Sequence, residues 1–384
     1  MPRRTQDIKA NIVLVQEQID TFIDTPLSPI VELLSEIINV ASISEDHKST
    51  EKVLSKIVSI LERLPETNDR FYFDAYLILS IADAWSRQFV KCSNMIIPGY
   101  RKSWAHEVVQ MPHIRTERLV GPVELQTLDM IYFRRGYRGE KPNLLEYAWL
   151  FHEMGHYLIS RHGKVLFEML IPILDETVNG LQLRSIADRG VARIRAKETI
   201  DEVSNLWNPL SGNSRWSHEI VIDVIGLWSC GPAYLSTFYA DHENANPFIV
   251  SSDHPPVAIR AYALIECAKK LNWTEYTKPL DLAIKAWESS ISHSDHNKYV
   301  TLRNKELIGK YLDRSCEYCA ALGLPRLYNK DLERISKQEF DFNSDTLTSD
   351  LVVKAWLVYQ SEGDSAYQAW EEMIFDAILE IAKL

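Results

Sequence analysis

The sequence predicts an α+β protein that is predominantly α-helical: a core with one small sheet, flanked by helical N- and C-terminal regions. Three observations predict it. Apolar residues recur at three- and four-residue steps over most of the 384-residue chain. The pattern breaks between His113 and Arg135, where β-branched and aromatic residues gather in two short runs. Directly after that break comes "LFHEMGHYLISRHG", Leu150 to Gly163, a helical stretch with His152, Glu153 and His156 in HExxH order.

The N-terminus, "MPRRTQDIKANIVLVQEQID", starts basic but lacks the apolar run of a signal peptide. Helical spacing then marks "SPIVELLSEIINVA", Ser28 to Ala41, "STEKVLSKIVSILERL", Ser49 to Leu64, and "DAYLILSIADAWSRQFV", Asp74 to Val90. Residues 1–102 are grouped as an N-terminal helical region. The strand candidates are "HIRTERLVG" and "LDMIYFRRG", with Gly121-Pro122 between them. A sheet there would back the active-site helix, and its edge could bind an extended peptide. Residues 103–300 form the expected core and residues 301–384 a C-terminal helical region. The polar stretch "SKQEFDFNSDTLTSD", Ser336 to Asp350, reads as a loop.

Bulk composition narrows the function classes. Ten Trp and seventeen Tyr argue against disorder. Net charge is 42 − 53 = −11, which speaks against a nucleic-acid or anionic-membrane surface. The basic cluster "FRRGYRG", Phe133 to Gly139, reads as a solvated loop. Five sparse cysteines fit a reducing compartment. The one CxxC, Cys316 to Cys319, has no partner pair. "IVIDVIGLWSCGPAYLSTFYA", Ile220 to Ala240, comes nearest to a membrane span, but Asp223 and Gly231-Pro232 interrupt it. The expectation is a soluble, cytoplasmic protein without nucleic-acid or membrane partners.

The HExxH helix is expected to start at Asn143, with Glu146 completing a capping-box-like exchange. His152 and His156 stand about 40° apart around such a helix, so one ion can take both imidazoles. Glu153, one step round, suits a general base that takes a proton from water polarised by the ion. The bland reading is two half-buried histidines paired with carboxylates.

Two candidates compete for the third ligand. His162 has the offset of the HExxHxxGxxH pattern, but that pattern needs Gly where this chain has Ile159. On a continuing helix His162 lies about 240° away from His156. Gly163 looks instead like a helix C-cap, with His162 near it as a capping or surface residue. The other candidate is in "SRWSHEIVIDVIGLWSCGP", Ser214 to Pro232. Glu219 and Asp223 are four apart on a helix that is apolar nearly all round, and therefore buried. Two buried carboxylates need a cation. Joint binding with His152 and His156 makes Glu219 the third ligand, and Asp223 the acceptor behind a ligand imidazole. The competing partners are arginines such as Arg193 or Arg195.

A further segment is "SSDHPPVAIRAYAL", Ser251 to Leu264. Pro255 and Pro256 stiffen the chain after His254, just before a helix carrying Arg260. Both residues can donate to a developing oxyanion. Tyr234 and Tyr239 are further candidates for that role. Without the other motifs the segment is an ordinary helix start capped by Asp253.

HExxH followed by ExxxD on a later helix resembles the gluzincin zinc metallopeptidases. "HPPVAIR", His254 to Arg260, resembles the corresponding segment of the HtpX and CAAX prenyl endopeptidase group. The resemblance implies a zincin-like core with one Zn²⁺ held by His152, His156 and Glu219, and with Glu153 as base. It puts Asp223 behind a ligand histidine and makes His254 and Arg260 assisting groups. It covers roughly Leu144 to Leu264. It departs from that group in lacking membrane helices and in the 219 − 156 = 63 residues between His156 and Glu219. The expected activity is zinc-dependent hydrolysis of a peptide or protein substrate. The alternative is a non-catalytic helical interaction protein with a vestigial or structural metal site. Oligomeric state is not legible.

Overall fold

The structure, a computed structural model, describes residues 2–21, 28–42, 47–61, 73–78, 80–81, 96–101, 105–109, 128–134, 143–186, 189–211, 214–338 and 348–382. The chain divides into two compact units. One comprises Met1–Asn143, Phe340–Thr348 and Asp364–Leu384, the other Leu144–Glu339 and Ser349–Gly363.

In the first unit α1 (Pro2–Asp20), α2 (Ser28–Ser42) and α3 (His47–Leu61) pack on one another. Helical spacing sets the buried faces: Val31, Leu34, Ile37 and Ile38 on α2, and Val53, Leu54, Ile57 and Ile60 on α3. The same unit holds three short extended segments, β1 (Ile96–Arg101), β2 (Ala105–Val109) and β3 (Leu128–Arg134), paired in the order β1-β3-β2. The expected strand at 113–121 and most of the basic cluster at 133–139 lie outside the described residues.

The expected α+β class with a sheet behind the HExxH helix is corrected here. Apart from those three short segments the architecture is all-α, and the unit that carries HExxH contains no strand among its described residues. The physical reason is that another helix covers that face. Local β-propensity around Leu128 says nothing about which surface the HExxH helix buries.

That second unit opens with a 3₁₀ turn, Leu144–Tyr147, and α4 (Ala148–Ser185). There follow α5 (Val191–Trp207), α6 (Trp216–Cys230), α7 (Pro232–His242), α8 (Val257–Lys270), α9 (Lys278–Ser290), α10 (His293–Leu302), α11 (Lys305–Ala321), α12 (Asn329–Lys337) and α13 (Thr348–Glu362). Two local expectations change. Helical backbone begins after Asn143, but as 3₁₀, and the Asn143 side chain accepts a hydrogen bond from Tyr367 at 2.9 Å. Gly163 is not a C-cap, because α4 runs through it to Ser185.

The core of this unit is α6. Every residue from Trp216 to Cys230 is buried except His218. It packs against α4, α5, α7, α8 and α11. Burying Ile220, Val221, Ile222, Val224, Ile225 and Leu227 stabilises the fold by about 1.5–3 kcal/mol each. That packing holds the carboxylates of Glu219 and Asp223 inside the protein. Gly155 lets α4 come close: a Cβ there would lie 2.9 Å from Ile222 Cγ2. At the other end, Gly231 adopts φ 50, and Pro232 starts α7 immediately. The chain therefore reverses, and the apolar run Ile220 to Ala240 is two helices meeting at a turn. No described helix is long and apolar enough to cross a membrane.

Candidate metal centre

Three helices and one loop build the centre. α4 supplies His152, Glu153 and His156, α6 supplies Glu219 and Asp223, and α8 supplies Arg260, while His254 comes from the loop before α8. His152 Nε2 lies 3.4 Å from Glu219 Oε2, and His156 Nε2 lies 3.5 Å from Glu219 Oε1. One ligand atom from each of these residues falls within 4.8 Å of the other two, so the group can hold a metal ion. It is the one such group among the described residues.

The donors fit a small divalent cation. Ligands at 2.0–2.1 Å from a tetrahedral ion stand roughly 3.3 Å from each other, close to the two separations above. Glu219 Oε2 is buried without a well-formed hydrogen bond; its nearest cationic neighbours are His152 Nε2 at 3.4 Å and Arg260 Nη2 at 4.0 Å. A buried carboxylate oxygen without a donor is costly unless a cation meets it. Burial raises the Glu219 pKa, but His152, His156 and Arg260 more than reverse this and bring it down to about 2.

Behind His152 the network is complete. Its Nδ1 faces Asp223 Oδ1 at 3.2 Å and the Tyr234 hydroxyl at 3.1 Å. Tyr234 donates to Asp223 Oδ1 at 2.6 Å. Arg260 grips the same carboxylate twice, Nη2 to Oδ1 at 2.7 Å and Nε to Oδ2 at 2.8 Å. Its guanidinium also lies over the rings of Phe238, at 5.2 Å, and Trp149, at 5.8 Å. Burial works against the charge on Asp223, yet Arg260 and His152 hold its carboxyl well below the usual range. Burial likewise lowers His152, and the carboxylates of Asp223 and Glu219 outweigh it, raising the imidazole to about 9. Glu153 is buried beside the cluster, and burial lifts its carboxyl to about 7.

Of the residues singled out from the motifs, His152, Glu153, His156, Glu219, Asp223, Tyr234, His254 and Arg260 lie in or around this centre. His254 is more than half exposed, with Nε2 3.8 Å from Glu219 Oε1, at the rim. Arg260 faces inward to Asp223, and it takes the place that the sequence reading offered to Arg193 or Arg195. His162 lies further along α4 and is not among the convergent donors. Tyr234 is fully buried behind His152 rather than at an open face. Its place follows from the Gly231-Pro232 turn and from Gly226. Both are visible in the sequence, but neither can be read as such without the packing. Among the cysteines, Cys267 and Cys316 share a hydrogen bond between α8 and α11, away from this group. Comparison with protein-family models, curated proteins and solved structures finds no match to the chain.

Proposed function

We propose that the protein is a zinc-dependent metallopeptidase of gluzincin type, hydrolysing a peptide or protein substrate with Glu153 as general base. One observation carries this reading: two imidazoles and a carboxylate converge within 4.8 Å, with one buried carboxylate oxygen lacking a donor. Structural zinc sites are closed by four protein ligands and are rich in cysteine. Here the donors are three, and none is a thiol, which favours a catalytic site. When bound, zinc supplies Lewis-acid polarisation of the substrate carbonyl and acidification of water.

The remaining chemistry falls to side chains. Glu153 follows His152 in sequence and is buried beside the cluster. It takes the proton released as a water oxygen bonds to the carbonyl carbon. It returns that proton to the amide nitrogen as the C–N bond breaks. His254, exposed at the rim, donates to the oxygen on which negative charge develops. Asp223 orients His152, and Arg260 orients Asp223.

The test is metal analysis of purified protein together with a peptide-library digest. Wild type and Glu153→Gln should both contain near-stoichiometric zinc, while cleavage in Glu153→Gln should fall by about 10²–10⁴-fold. Glu219→Ala should lose the zinc, and His162→Ala should keep it. Zinc in neither wild type nor Glu153→Gln overturns the reading, and loss of zinc in His162→Ala moves the third ligand to that residue.

A further inference from the structure

We propose that Tyr234 is a positioning residue for His152, fixing which nitrogen faces the metal; this rests on the metal-site reading above. The count of available protons decides it. A phenol hydroxyl has one hydrogen to donate. Tyr234 gives it to Asp223 Oδ1, at 2.6 Å. Towards His152 Nδ1, at 3.1 Å, the same oxygen can therefore only accept. Asp223 Oδ1, 3.2 Å from Nδ1, is also an acceptor. Both neighbours of Nδ1 require a proton on it. In the neutral imidazole that binding a cation requires, the lone pair is then confined to Nε2, the atom that faces Glu219.

Asp223 alone is a weaker guide, since Arg260 and Tyr234 already crowd its Oδ1. The phenol oxygen supplies a second acceptor from another helix. The fold makes specific room for it. A Cβ on Gly226 would lie 2.5 Å from Tyr234 Cε2, so the ring sits where any other residue's side chain would start. The turn at Gly231, with φ 50, brings α7 back across α6 and delivers the ring to that seat.

Tyr234→Phe keeps the ring and removes only the hydroxyl. The experiment measures zinc dissociation constants by chelator competition for wild type, Tyr234→Phe, Tyr239→Phe and Glu219→Ala. It adds exchange of the His152 Nδ1 proton with water, read by NMR on zinc-loaded protein labelled at histidine nitrogen. Tyr234→Phe should bind zinc about tenfold more weakly, and its Nδ1 proton should exchange several-fold faster. Tyr239→Phe should match wild type in both. Zinc affinity in Tyr234→Phe within twofold of wild type, with Glu219→Ala unable to bind, overturns the role of the tyrosine alone. Zinc binding that Glu219→Ala leaves unchanged overturns the metal-site reading beneath it.

Discussion

Asp223 and Arg260 are 1% and 5% exposed and meet through two short hydrogen bonds. A pair buried this deeply gains little net stability over an apolar pair, but removing one partner strands the other charge. Arg260→Met should therefore destabilise the metal-free protein by about 3–5 kcal/mol. Adding Asp223→Leu in the same chain should recover part of the loss, since no charge is then left unpaired. Urea unfolding of the wild type, the single and the double variant measures both, and a single variant within about 1 kcal/mol of wild type would falsify the stranded-charge account. At this scale the convergent candidate donors are legible in the sequence, because HExxH and ExxxD are helix-face spacings that need no tertiary knowledge. The direction of Arg260 is not. Its place six residues after His254 is a local fact, whereas its partner lies on another helix, 37 residues earlier in the chain.

Between elements, the contact that matters most is the one between α4 and α6, made at Gly155. Glycine inside a helix costs about 1 kcal/mol relative to alanine, so Gly155→Ala ought to stabilise α4 on propensity alone. The added Cβ, however, would meet Ile222 Cγ2 at 2.9 Å and the Ile222 Cα at 3.5 Å. Overpacking of that kind costs about 1–3 kcal/mol. The expected result is net destabilisation, together with weaker zinc binding, because His152 and Glu219 flank the same contact. In an Ile222→Ala background the clashing methyl is gone, and Gly155→Ala should become neutral or stabilising. A thermal-denaturation cycle over the four proteins gives the coupling directly, and equal effects of Gly155→Ala in both backgrounds would show that no close approach exists. In the sequence Gly155 looks like a flaw in a helix, and Gly163 looks like its end. Helix propensity registers only the missing side chain, whereas a glycine can also mark where a second helix comes close. Burial of α6 is legible, since an apolar run can keep two carboxylates four residues apart only where cations meet them inside the protein.

For the molecule as a whole, the order of the motifs is readable and the class is not. Each motif is local, and all three fall in the unit that starts at Leu144. What covers a helix face is a long-range matter, so a strand signal just upstream suggests a backing for α4 that α6 in fact provides. The same partition determines how metal should register on stability. Every donor and every residue behind the donors lies between Trp149 and Arg260, inside that one unit. A cation that binds the folded cluster and not the unfolded chain stabilises the unit by mass action. At a free zinc concentration one hundred times the dissociation constant this is about 2.7 kcal/mol. For a unit of this size that corresponds to a rise of roughly 5–10 °C in its melting temperature. Calorimetry with and without chelator measures it, and hydrogen exchange should slow in peptides from α4 and α6. The decisive comparison is with Glu219→Ala, in which α6 retains its apolar packing but the cluster loses its carboxylate. If zinc raises the melting temperature of that variant as much as that of wild type, the ion is stabilising the protein from somewhere other than this cluster.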